Sequence, residues 1–560
     1  MPSELDGKLD AAIAAITGPG GMFQLGRDDM GRNIVANLPP TLPMFFDVFC
    51  TMNGPHEAIV ADGERLTFAD LLAAANRLAP ALAAGFGIAK GDRVAIAMRN
   101  CPSWILAYMG IVKAGGIATL INGWWTPAEL DHALGLAEPK LVIADEPRAQ
   151  RVAGTSFSGA VVSLPVEQHL DEALAPLLAN GDGAGTPLPS VGPDDEATIL
   201  FTSGSTGAAK GALSTHRAVT TGVYNYTLSL AALKAILVSE NRYPGHPLRT
   251  LVNVPLFHVT GEVPVMLNSF VINRCLVMMR KWDAGEALRL MEQEKITYFV
   301  GVPTMSLELL QHPDRDKYDL SLLSDIAAGG AARPADHVRR LKESFGNSQP
   351  AIGYGLTETN AVGCANVREN YLAKPDSTGR ATAPLVELAI LGDDGRPLPS
   401  GERGEVAIRS AANISCYWRD PEATAAAFTG DGYLRTGDIG YLDGDDYLFI
   451  VDRKKDIIIR GGENISCVEV EAALYGHEAV AEASVFGVAS ERLGEEPVAV
   501  IHLKEGQQVG ADELREAAAA RLAAFKVPAK IWISNEPLPK LGTGKIDKVG
   551  LRERYRDAAA

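Results

Sequence analysis

Short runs of apolar, often β-branched residues alternate along the chain with longer segments in which apolar residues recur at helical spacing. The rhythm begins near residue 55. The run DRVAIAM (92–98) precedes the helix-like SWILAYMGIVKAGG (103–116), and the runs ATLIN (118–122) and KLVIADE (140–146) follow. Strands that alternate with helices of this length are typical of parallel sheets flanked by helices. The pattern therefore predicts an α/β fold for the first part of the chain.

The pattern changes after about residue 385, where short strand-like runs are separated by turns rich in glycine and aspartate. The segment VELAILGDDGRPLPSGERGEVAIRS shows this change and predicts a small β-rich unit. Farther on, SCVEVEAALYG (466–476) and ADELREAAAARLAAF (511–525) are helix-like. We place a boundary near residues 452–456, which leaves a C-terminal domain of roughly one hundred residues.

Composition and charge narrow the range of functions. The chain has 560 residues, of which 47% are hydrophobic and 22% charged, as in globular proteins of more than one domain. Its net charge of −17 argues against nucleic acid as a partner, because phosphate backbones need a basic surface. The six cysteines show no CxxC spacing, so neither a zinc site nor a disulfide framework is indicated, and free thiols fit a reducing cytoplasm.

Two segments bear on targeting and on membrane insertion. The N-terminal MPSELDGKLDAAIAAI has early acidic residues and no long apolar core, so it is a poor signal peptide. The most apolar long stretch, 263–279, is interrupted by Asn268, Asn273 and Arg274, which argues against a membrane span. We therefore expect a cytoplasmic protein without an integral membrane span.

The segment FTSGSTGAAKG (201–211) carries the first candidate chemistry, and an apolar, strand-like run leads into it. Its glycines Gly204, Gly207 and Gly211 permit close backbone approach, so that hydroxyls, N–H groups and Lys210 can surround an anion. The segment is not a Walker A loop, because Lys210 is followed by glycine rather than by serine or threonine. It predicts a phosphate-binding loop of another kind, with a flexible surface turn as the alternative.

Six further segments follow this loop in order. They are PLFHVTG (255–261), AAGGAARP (327–334), AIGYGLTET (351–359), YLRTGD (433–438), DRKKDIIIRGGENISCVEVE (452–471) and PKLGTGKI (539–546). Together with the loop they resemble the core motifs of the adenylate-forming superfamily, which contains acyl-CoA synthetases, adenylation domains of peptide synthetases and beetle luciferases. The resemblance runs from about residue 40 to about residue 550.

The resemblance implies a two-step reaction that uses ATP, Mg²⁺ and coenzyme A. A carboxylate attacks the α-phosphorus of ATP to give an acyl-adenylate and pyrophosphate, and a thiol, usually that of CoA, then displaces AMP. It also implies an α/β architecture in which a large N-terminal domain (1–451) combines helix-flanked sheets with a small distorted β-barrel. A hinge (452–456) and a small mobile α+β C-terminal domain (457–560) follow, and the small domain rotates between the two steps.

The resemblance matches residues of this chain to the phosphates, the base and the metal ion. The loop over the β- and γ-phosphates corresponds to Thr202, Ser203, Gly204, Ser205, Thr206, Gly207 and Lys210. Tyr354, between Gly353 and Gly355, matches the aromatic residue that stacks on adenine, and Thr357 matches the α-phosphate contact. Glu358 matches the Mg²⁺ ligand, with Thr202 as a second ligand, since a hard cation prefers oxygen donors.

Residues nearer the C-terminus are matched to the ribose, the hinge and the catalytic lysine. Asp438 matches the acid that accepts hydrogen bonds from both ribose hydroxyls, and Arg453 matches a second ribose contact. Lys455 aligns with the hinge residue. Lys545 matches the lysine that bridges the attacking carboxylate and the α-phosphate and stabilises the developing charge.

A glycine-rich loop in the C-terminal domain is matched to the second step. Gly461, Gly462 and Glu463 correspond to the residues that line the tunnel for the pantetheine arm of CoA after rotation. Glycines suit the close passage of a thin chain.

The acyl pocket is matched to a third group of residues. His258 corresponds to an aromatic position at the pocket mouth. Gly329, Gly330 and Ala331 correspond to the segment between adenine and the acyl group, where small residues leave room for a bulky or long acid. Some long-chain ligases carry a tryptophan gate where this chain has Glu262. The possibility that the substrate carries a polar group or a ring therefore stays open.

The leading hypothesis is an AMP-forming acid–CoA ligase for a medium- or long-chain, mostly apolar carboxylic acid. Fatty, aryl or cinnamic, and cyclic or steroid-like acids stay open, whereas an amino acid is disfavoured because 255–261 contains no acidic residue. The alternatives are an acyl-AMP ligase that loads a carrier protein, a luciferase-like oxidase and a non-catalytic nucleotide-binding protein. The expected partners are the small-molecule acid and CoA, and a homodimer stays open.

Overall fold

The predicted strand–helix rhythm forms two large sheets. The computed structural model describes residues 3–179, 181, 183–202, 209–330, 333–461, 463–490, 492–541 and 545–556. The strands of these residues form five sheets, of which the two largest come from the first three quarters of the chain.

The first large sheet has seven strands. From one edge to the other they are Cys416–Tyr417, Lys210–Thr215, Glu196–Thr202, Ile117–Leu120, Arg93–Ala97, Leu141–Asp145 and Ala160–Leu164. The last five pair in parallel, as the βαβ pattern predicts. Lys210–Thr215 is antiparallel to Glu196–Thr202, with Lys210 opposite Thr202. Both ends of the glycine-rich segment are thus fixed on neighbouring strands.

The second large sheet has nine strands. In spatial order they are Arg380–Ala381, Gly363–Val367, Gln349–Gly355, Asp325–Gly329, Tyr298–Gly301, Leu248–Val252, Arg274–Met278, Glu57–Ala61 and Glu64–Thr67. Its centre is parallel and its edges are antiparallel. The register sets Gly329 opposite Gly353, so two of the predicted glycine motifs end side by side.

The β-rich unit expected after residue 385 is a four-stranded antiparallel sheet. Its strands are Glu387–Leu391, Gly404–Arg409, Leu434–Leu442 and Leu448–Arg453, in that order. Over residues 387–453, all of which are described, the first and last strands do not pair with each other. The expected distorted barrel therefore takes the form of an open sheet.

The C-terminal part of the chain forms a separate five-stranded sheet. Its strands are Ile458–Arg460, Glu463–Ile465, Val480–Ser490, Gly494–Leu503 and Lys530–Ser534. A turn at 454–456 connects this sheet to Leu448–Arg453 of the preceding one. The predicted hinge, 452–456, overlaps this turn, while the domain boundaries and the movement of the small domain stay predictions. A small two-stranded sheet, Leu25–Arg27 with Asn33–Val35, lies near the N-terminus.

Helices cover the sheets on both sides. The α-helices are Glu4–Thr17, Leu42–Asn53, Phe68–Phe86, Pro102–Lys113, Pro127–Ala137, Glu146–Val152, Leu170–Leu178, His216–Ser239, Asn268–Val271, Ala284–Gln293, Pro303–Gln311, Ala335–Ser344, Arg368–Ala373, Pro421–Ala427, Cys467–Tyr475, Ala511–Ala519 and Lys548–Arg556. A π-helix spans Gly261–Leu267, and 3₁₀ turns span Arg315–Lys317, Thr357–Thr359 and Ala524–Lys526. The helix predicted over 511–525 is shorter: it ends at Ala519, and a 3₁₀ turn follows at Ala524–Lys526.

One continuous apolar core joins the two large sheets. It contains side chains of both sheets and of the helices packed between them, chiefly Leu42–Asn53, Phe68–Phe86 and Pro102–Lys113. The helix Pro102–Lys113 is buried almost all round, which explains why its sequence lacks a polar face. Among the described residues, no helix is long and apolar enough to cross a membrane. All six cysteines are free thiols.

The N-terminal helix Glu4–Thr17 is fastened to the large domain by one buried acid. Asp6 is 3% exposed and accepts hydrogen bonds from the Asn370 side-chain amide (2.9 Å) and from the Tyr447 hydroxyl (3.0 Å). Ser3 caps the helix and also donates to Asn370. The helix thus contacts the segment that leads into strand Leu448–Arg453.

Candidate active site

Several predicted site residues meet at the ends of the central strands of the nine-stranded sheet. Strand Asp325–Gly329 ends at a small cavity, and residues from three other segments complete its wall. The lining residues are Val254, Pro255, His258, Thr260, Gly301, Val302, Gly329, Gly330 and Lys545. Ligands in α/β sheets bind at the carboxyl ends of parallel strands, and this cavity lies at that edge of the sheet.

Lys545 reaches the cavity from the C-terminal part of the chain. A Cβ atom built on Gly330 would lie 3.1 Å from its Cε and 3.4 Å from its Nζ, and Gly330 has φ +78°. Only glycine combines this backbone conformation with so close an approach. Burial, together with the charge of Arg453, lowers the pKa of Lys545 to about 8, although Asp438 opposes the shift. A lysine in such a place is poised between its two protonation states.

His258 faces the same cavity as a neutral imidazole. Burial, with a smaller contribution from the charge of Lys545, lowers its pKa to about 3. Its Nδ1 accepts a hydrogen bond of 3.3 Å from the backbone N–H of Thr260. His258 therefore serves as a wall of the pocket and as a polar neighbour of Lys545.

Asp438, Tyr354 and Arg453 form one connected group, as the sequence predicts for residues of a single nucleotide site. The Tyr354 hydroxyl donates to Asp438 Oδ2 at 2.6 Å, and Arg453 Nε lies 2.6 Å from Oδ1. The antiparallel register of their strands sets Asp438 directly opposite Arg453. Burial raises the pKa of Asp438, while Arg453 counteracts this. Each carboxylate oxygen has a second lone pair, so both can still accept from a ribose hydroxyl.

The residues predicted to contact the phosphates and the metal ion gather around Tyr417, a residue that sequence reasoning missed. Lys210 Nζ lies 5.1 Å from the centre of the Tyr417 ring and 3.8 Å from Asp420 Oδ2. The Tyr417 hydroxyl donates to Glu358 Oε1 at 2.8 Å. Tyr417 thus links the predicted phosphate lysine to the predicted metal ligand. The sequence gives little indication of this position, because Tyr417 is an aromatic residue that lies outside all of the motifs described above.

The GYGLTET segment supplies the turn between these two groups. Strand Gln349–Gly355 ends in the 3₁₀ turn Thr357–Thr359, which presents Thr357 and Glu358 together. A side chain on Gly355 would lie 2.4 Å from the backbone oxygen of Ala361, so this position requires glycine. Gly353, by contrast, has open space around it.

The residues present fit a hard cation at Glu358. Among the described residues, Glu358 makes no ion pair and its Oε2 makes no hydrogen bond, so one carboxylate oxygen is available to a ligand. Thr202 ends the neighbouring strand Glu196–Thr202 and is the second predicted ligand. No group of three or more histidine, cysteine or acidic residues forms a dedicated metal cage within the described chain. A cation held by Glu358 would complete its coordination with phosphate oxygens of a nucleotide, which are the hard donors it prefers.

Other predicted residues lie away from this cavity or outside the described residues. Gly461 donates to the Leu493 carbonyl, and Glu463 pairs with Arg460, both within the C-terminal sheet. Lys455 is exposed in the turn at 454–456. Predicted site residues outside the described part of the chain are Ser203, Gly204, Ser205, Thr206, Gly207, Ala331 and Gly462.

Glu262 differs from its expected place at the pocket mouth. It is fully buried and is absent from the cavity lining, and the Tyr108 hydroxyl donates to it at 2.8 Å. The reason is the π-helix, which carries Glu262 one turn inward from His258.

Comparison with protein families gives two adjacent matches. The family model described as AMP-binding enzyme matches residues 46–418, and the one described as AMP-binding enzyme C-terminal domain matches residues 469–545. The chain is 34% identical over 519 residues to the long-chain-fatty-acid–CoA ligase of Bacillus subtilis (strain 168), covering 87% of this chain and 90% of the relative. It is 35% identical over 503 residues to the feruloyl-CoA synthase of an Amycolatopsis species, covering 90% and 96%.

Solved structures share the whole architecture. The ATP-bound crystal structure of MatB from Rhodopseudomonas palustris matches with a TM-score of 0.81 at 29% identity, covering 93% of this chain and 100% of that one. The apo structure of the same protein, with equal identity and coverage, gives a TM-score of 0.70. The arrangement of this chain is therefore nearer to that of the ATP-bound relative.

Proposed function

We propose a substrate for a chain that belongs to the AMP-binding enzymes of the adenylate-forming superfamily and is an AMP-forming acid–CoA ligase. The proposed substrate is a medium- or long-chain, or otherwise bulky and apolar, carboxylic acid. One observation carries the proposal. Lys545 and the neutral His258 border a cavity whose other described lining residues are valine, proline, threonine and glycine, so in the described wall no charged side chain besides Lys545 is present to bind a second acidic group.

Lys545 is the proposed catalytic residue of the first step. When the carboxylate attacks the α-phosphate, negative charge develops between two anions. A protonated Lys545 Nζ beside both of them stabilises that charge in a site from which much water is excluded. Thr357 would donate to the α-phosphate and His258, being neutral, would border the acyl group without repelling Lys545.

The remaining nucleotide contacts follow the two groups described above. Asp438 and Arg453 would hold the ribose, and Tyr354 between Gly353 and Gly355 would cover the adenine. Lys210 and the segment 202–207 would surround the outer phosphates. Glu358 and Thr202 would hold Mg²⁺, which neutralises part of the phosphate charge when it is bound.

The second step needs a different face of the C-terminal domain. We place its movement at 452–456, where a turn joins two sheets, with Lys455 as the hinge residue and residues 1–451 and 457–560 as the two bodies. After rotation, Gly461, Gly462 and Glu463 would border the pantetheine arm, and Lys545 would leave the acyl cavity. CoA is the proposed acceptor, with a carrier protein as the alternative.

An aryl acid is the second candidate substrate. The feruloyl-CoA synthase of Amycolatopsis is as similar to this chain as the fatty-acid ligase of Bacillus subtilis. Gly329 and Gly330 line the cavity without side chains, which suits a ring as well as an alkyl chain.

Pyrophosphate release tests the proposal. Purified protein with ATP and Mg²⁺ is offered fatty, cinnamic, benzoic and steroid side-chain acids, with and without CoA. We expect strong release with one class and stimulation by CoA. Release that ignores CoA would favour a carrier protein, and the absence of release with every acid would contradict the proposed function.

Replacing the catalytic lysine separates the two steps. Lys545→Ala is expected to lower the rate of adenylate formation by about 10²–10³, because a charge stabiliser of the transition state is lost. Thioester formation from a supplied acyl-adenylate should stay near the wild-type rate. Lys526→Ala, which removes a half-buried lysine of the same domain that pairs with Glu469, is the matched control. An unchanged adenylation rate in Lys545→Ala would remove Lys545 from the mechanism.

A further inference from the structure

Tyr417 contacts two side chains of opposite charge that do not pair with each other. Its hydroxyl donates to Glu358 Oε1 at 2.8 Å, and Lys210 Nζ lies 5.1 Å from the centre of its ring. Among the described residues, Glu358 makes no ion pair, while Lys210 Nζ lies 3.8 Å from Asp420 Oδ2. A carboxylate and an ammonium group held by one side chain attract each other, so their separation calls for an explanation.

Strand pairing fixes Tyr417 beside Lys210. The edge strand Cys416–Tyr417 is antiparallel to Lys210–Thr215, and its register sets Tyr417 opposite Ala212. Side chains two residues apart on a strand point to the same face of the sheet, so Lys210 and Ala212 share a face, and Tyr417 lies on it as well. The contact between the lysine and the ring therefore follows from the register of the sheet.

Backbone hydrogen bonds fix Tyr417 relative to Glu358. The N–H of Ile414, three residues before Tyr417, donates to the Glu358 carbonyl at 2.9 Å. The N–H of Tyr417 donates to Thr424 Oγ1 at 3.0 Å. Burial, together with the charge of Glu358, raises the pKa of Tyr417 well above its usual range. The hydroxyl therefore keeps its proton and acts as a hydrogen-bond donor at neutral pH.

We propose that Tyr417 is a positioning residue that keeps Glu358 and Lys210 apart until ATP and Mg²⁺ bind. The inference rests on the proposed function, which assigns Glu358 to Mg²⁺ and Lys210 to the outer phosphates. A direct ion pair between them would neutralise both groups and would have to be broken on binding. The Tyr417 hydroxyl engages Oε1 and leaves Oε2 available to the cation, while the ring attracts the ammonium group without neutralising its charge.

ATP binding with and without the metal tests this inference. The Kd of ATP is measured by calorimetry in EDTA and in Mg²⁺, with no carboxylic acid present, so that no turnover occurs. We expect ATP to bind more tightly with Mg²⁺, and Tyr417→Phe to lower the ratio of the two Kd values about tenfold, because a residue that orients a metal ligand typically contributes a factor of about 10–100 to metal affinity. A merely structural defect would weaken binding equally in both buffers and leave the ratio unchanged.

Further variants separate the hydroxyl from the ring. In a Glu358→Gln background, Tyr417→Phe should not change the ratio further, because the hydroxyl acts through Glu358. Tyr417→Leu also removes the ring and should weaken ATP binding in EDTA by about two- to fivefold through Lys210. Adding Lys210→Met to Tyr417→Leu should restore part of the Kd ratio, since no lysine is then present to pair with Glu358. Where Tyr417→Leu fails to fold, Tyr417→Phe with and without Glu358→Gln decides the matter.

Tyr447 offers a matched control, because it makes the same two kinds of contact away from the site. Its hydroxyl donates to Asp6 at 3.0 Å, and Lys374 Nζ lies 4.2 Å from the centre of its ring. Tyr447→Phe should leave the Kd ratio unchanged. An unchanged ratio in Tyr417→Phe, or equal wild-type Kd values in the two buffers, would overturn the inference while leaving the ligase assignment intact. Absence of ATP binding in both buffers would instead overturn the proposed function.

Discussion

Burial sets the charge of the side chains that meet at the cavity. His258 is held neutral, with a pKa of about 3, and the pKa of Lys545 falls to about 8. The pKa of Asp438 rises through burial although Arg453 lies beside it. Each shift follows from loss of water around a charge, and none can be read from the sequence motif that contains the residue.

The lowered pKa of Lys545 predicts a pH dependence. A lysine loses its proton as pH rises through its pKa, so the charge needed for adenylation disappears above about pH 8 rather than above 10.5. We expect kcat/KM, which reports the free enzyme, to fall about tenfold per pH unit beyond that point. Pyrophosphate release from pH 6.5 to 10 measures it. In Lys545→Arg the residual activity should not show this fall, since arginine stays charged. A wild-type kcat/KM that stays constant up to pH 10 would contradict the assignment of Lys545.

Gly330 offers a test of the close approach to Lys545. Gly330→Ala adds a Cβ 3.1 Å from Lys545 Cε at a position with φ +78°. Gly401→Ala is a matched control, because Gly401 has φ +88° and no atom within 4 Å of an added Cβ. Both variants should lose about 1–2 kcal/mol of stability through backbone strain. Gly330→Ala alone should slow adenylation, by about tenfold, in a pyrophosphate assay; equal adenylation rates in the two variants would show that the contact has no role.

At the scale of elements, regular patterns were predicted well and irregular ones were not. The runs at 92–98, 118–122 and 140–146 form strands, and 103–116 contains the helix Pro102–Lys113, because alternation and helical spacing reflect burial directly. The π-helix Gly261–Leu267 has no such signature. It depends on Arg274 beyond its end, a contact that only the folded chain creates.

In the candidate site, too, residues inside sequence motifs were predicted, whereas a residue placed there by tertiary contacts was not. The motifs predicted Tyr354, Asp438, Arg453 and Lys545 as neighbours, and the structure brings the first three into one connected group beside the lysine. Their catalytic roles stay predictions. Tyr417, by contrast, enters the site through pairing of a two-residue edge strand, which no pattern in the sequence indicates.

At the scale of the whole molecule, one ion pair joins the C-terminal part of the chain to the large domain beside the catalytic loop. Lys540 Nζ lies 2.9 Å from Glu482 of the C-terminal sheet and 3.6 Å from Glu308 of the helix Pro303–Gln311. Glu308 also accepts a hydrogen bond of 2.5 Å from the Trp282 indole. Lys540 precedes Lys545 by five residues, so this contact helps hold the arrangement in which Lys545 reaches the cavity.

Breaking that ion pair should affect one step only. Glu308→Gln keeps the hydrogen bond to Trp282 and removes the charge opposite Lys540. We expect adenylation to slow by about two- to fivefold, the range set by a partly exposed ion pair, and thioester formation from supplied acyl-adenylate to stay unchanged. Rapid-quench measurement of each step tests this. Glu286→Gln, which lies in the helix Ala284–Gln293 and pairs with Arg289, is the control. Equal slowing of both steps would argue against the ion pair as an interdomain contact.

The helix Glu4–Thr17 lies outside the family match, which begins at residue 46, yet it belongs to the folded body. A fragment trimmed to the family boundaries would expose the face of His216–Ser239 that this helix covers and would leave the Asn370 amide and the Tyr447 hydroxyl without Asp6. Domain boundaries taken from family membership alone would therefore yield a fragment prone to aggregation. Any truncation intended for crystallisation or for fusion to another protein should begin before Ser3.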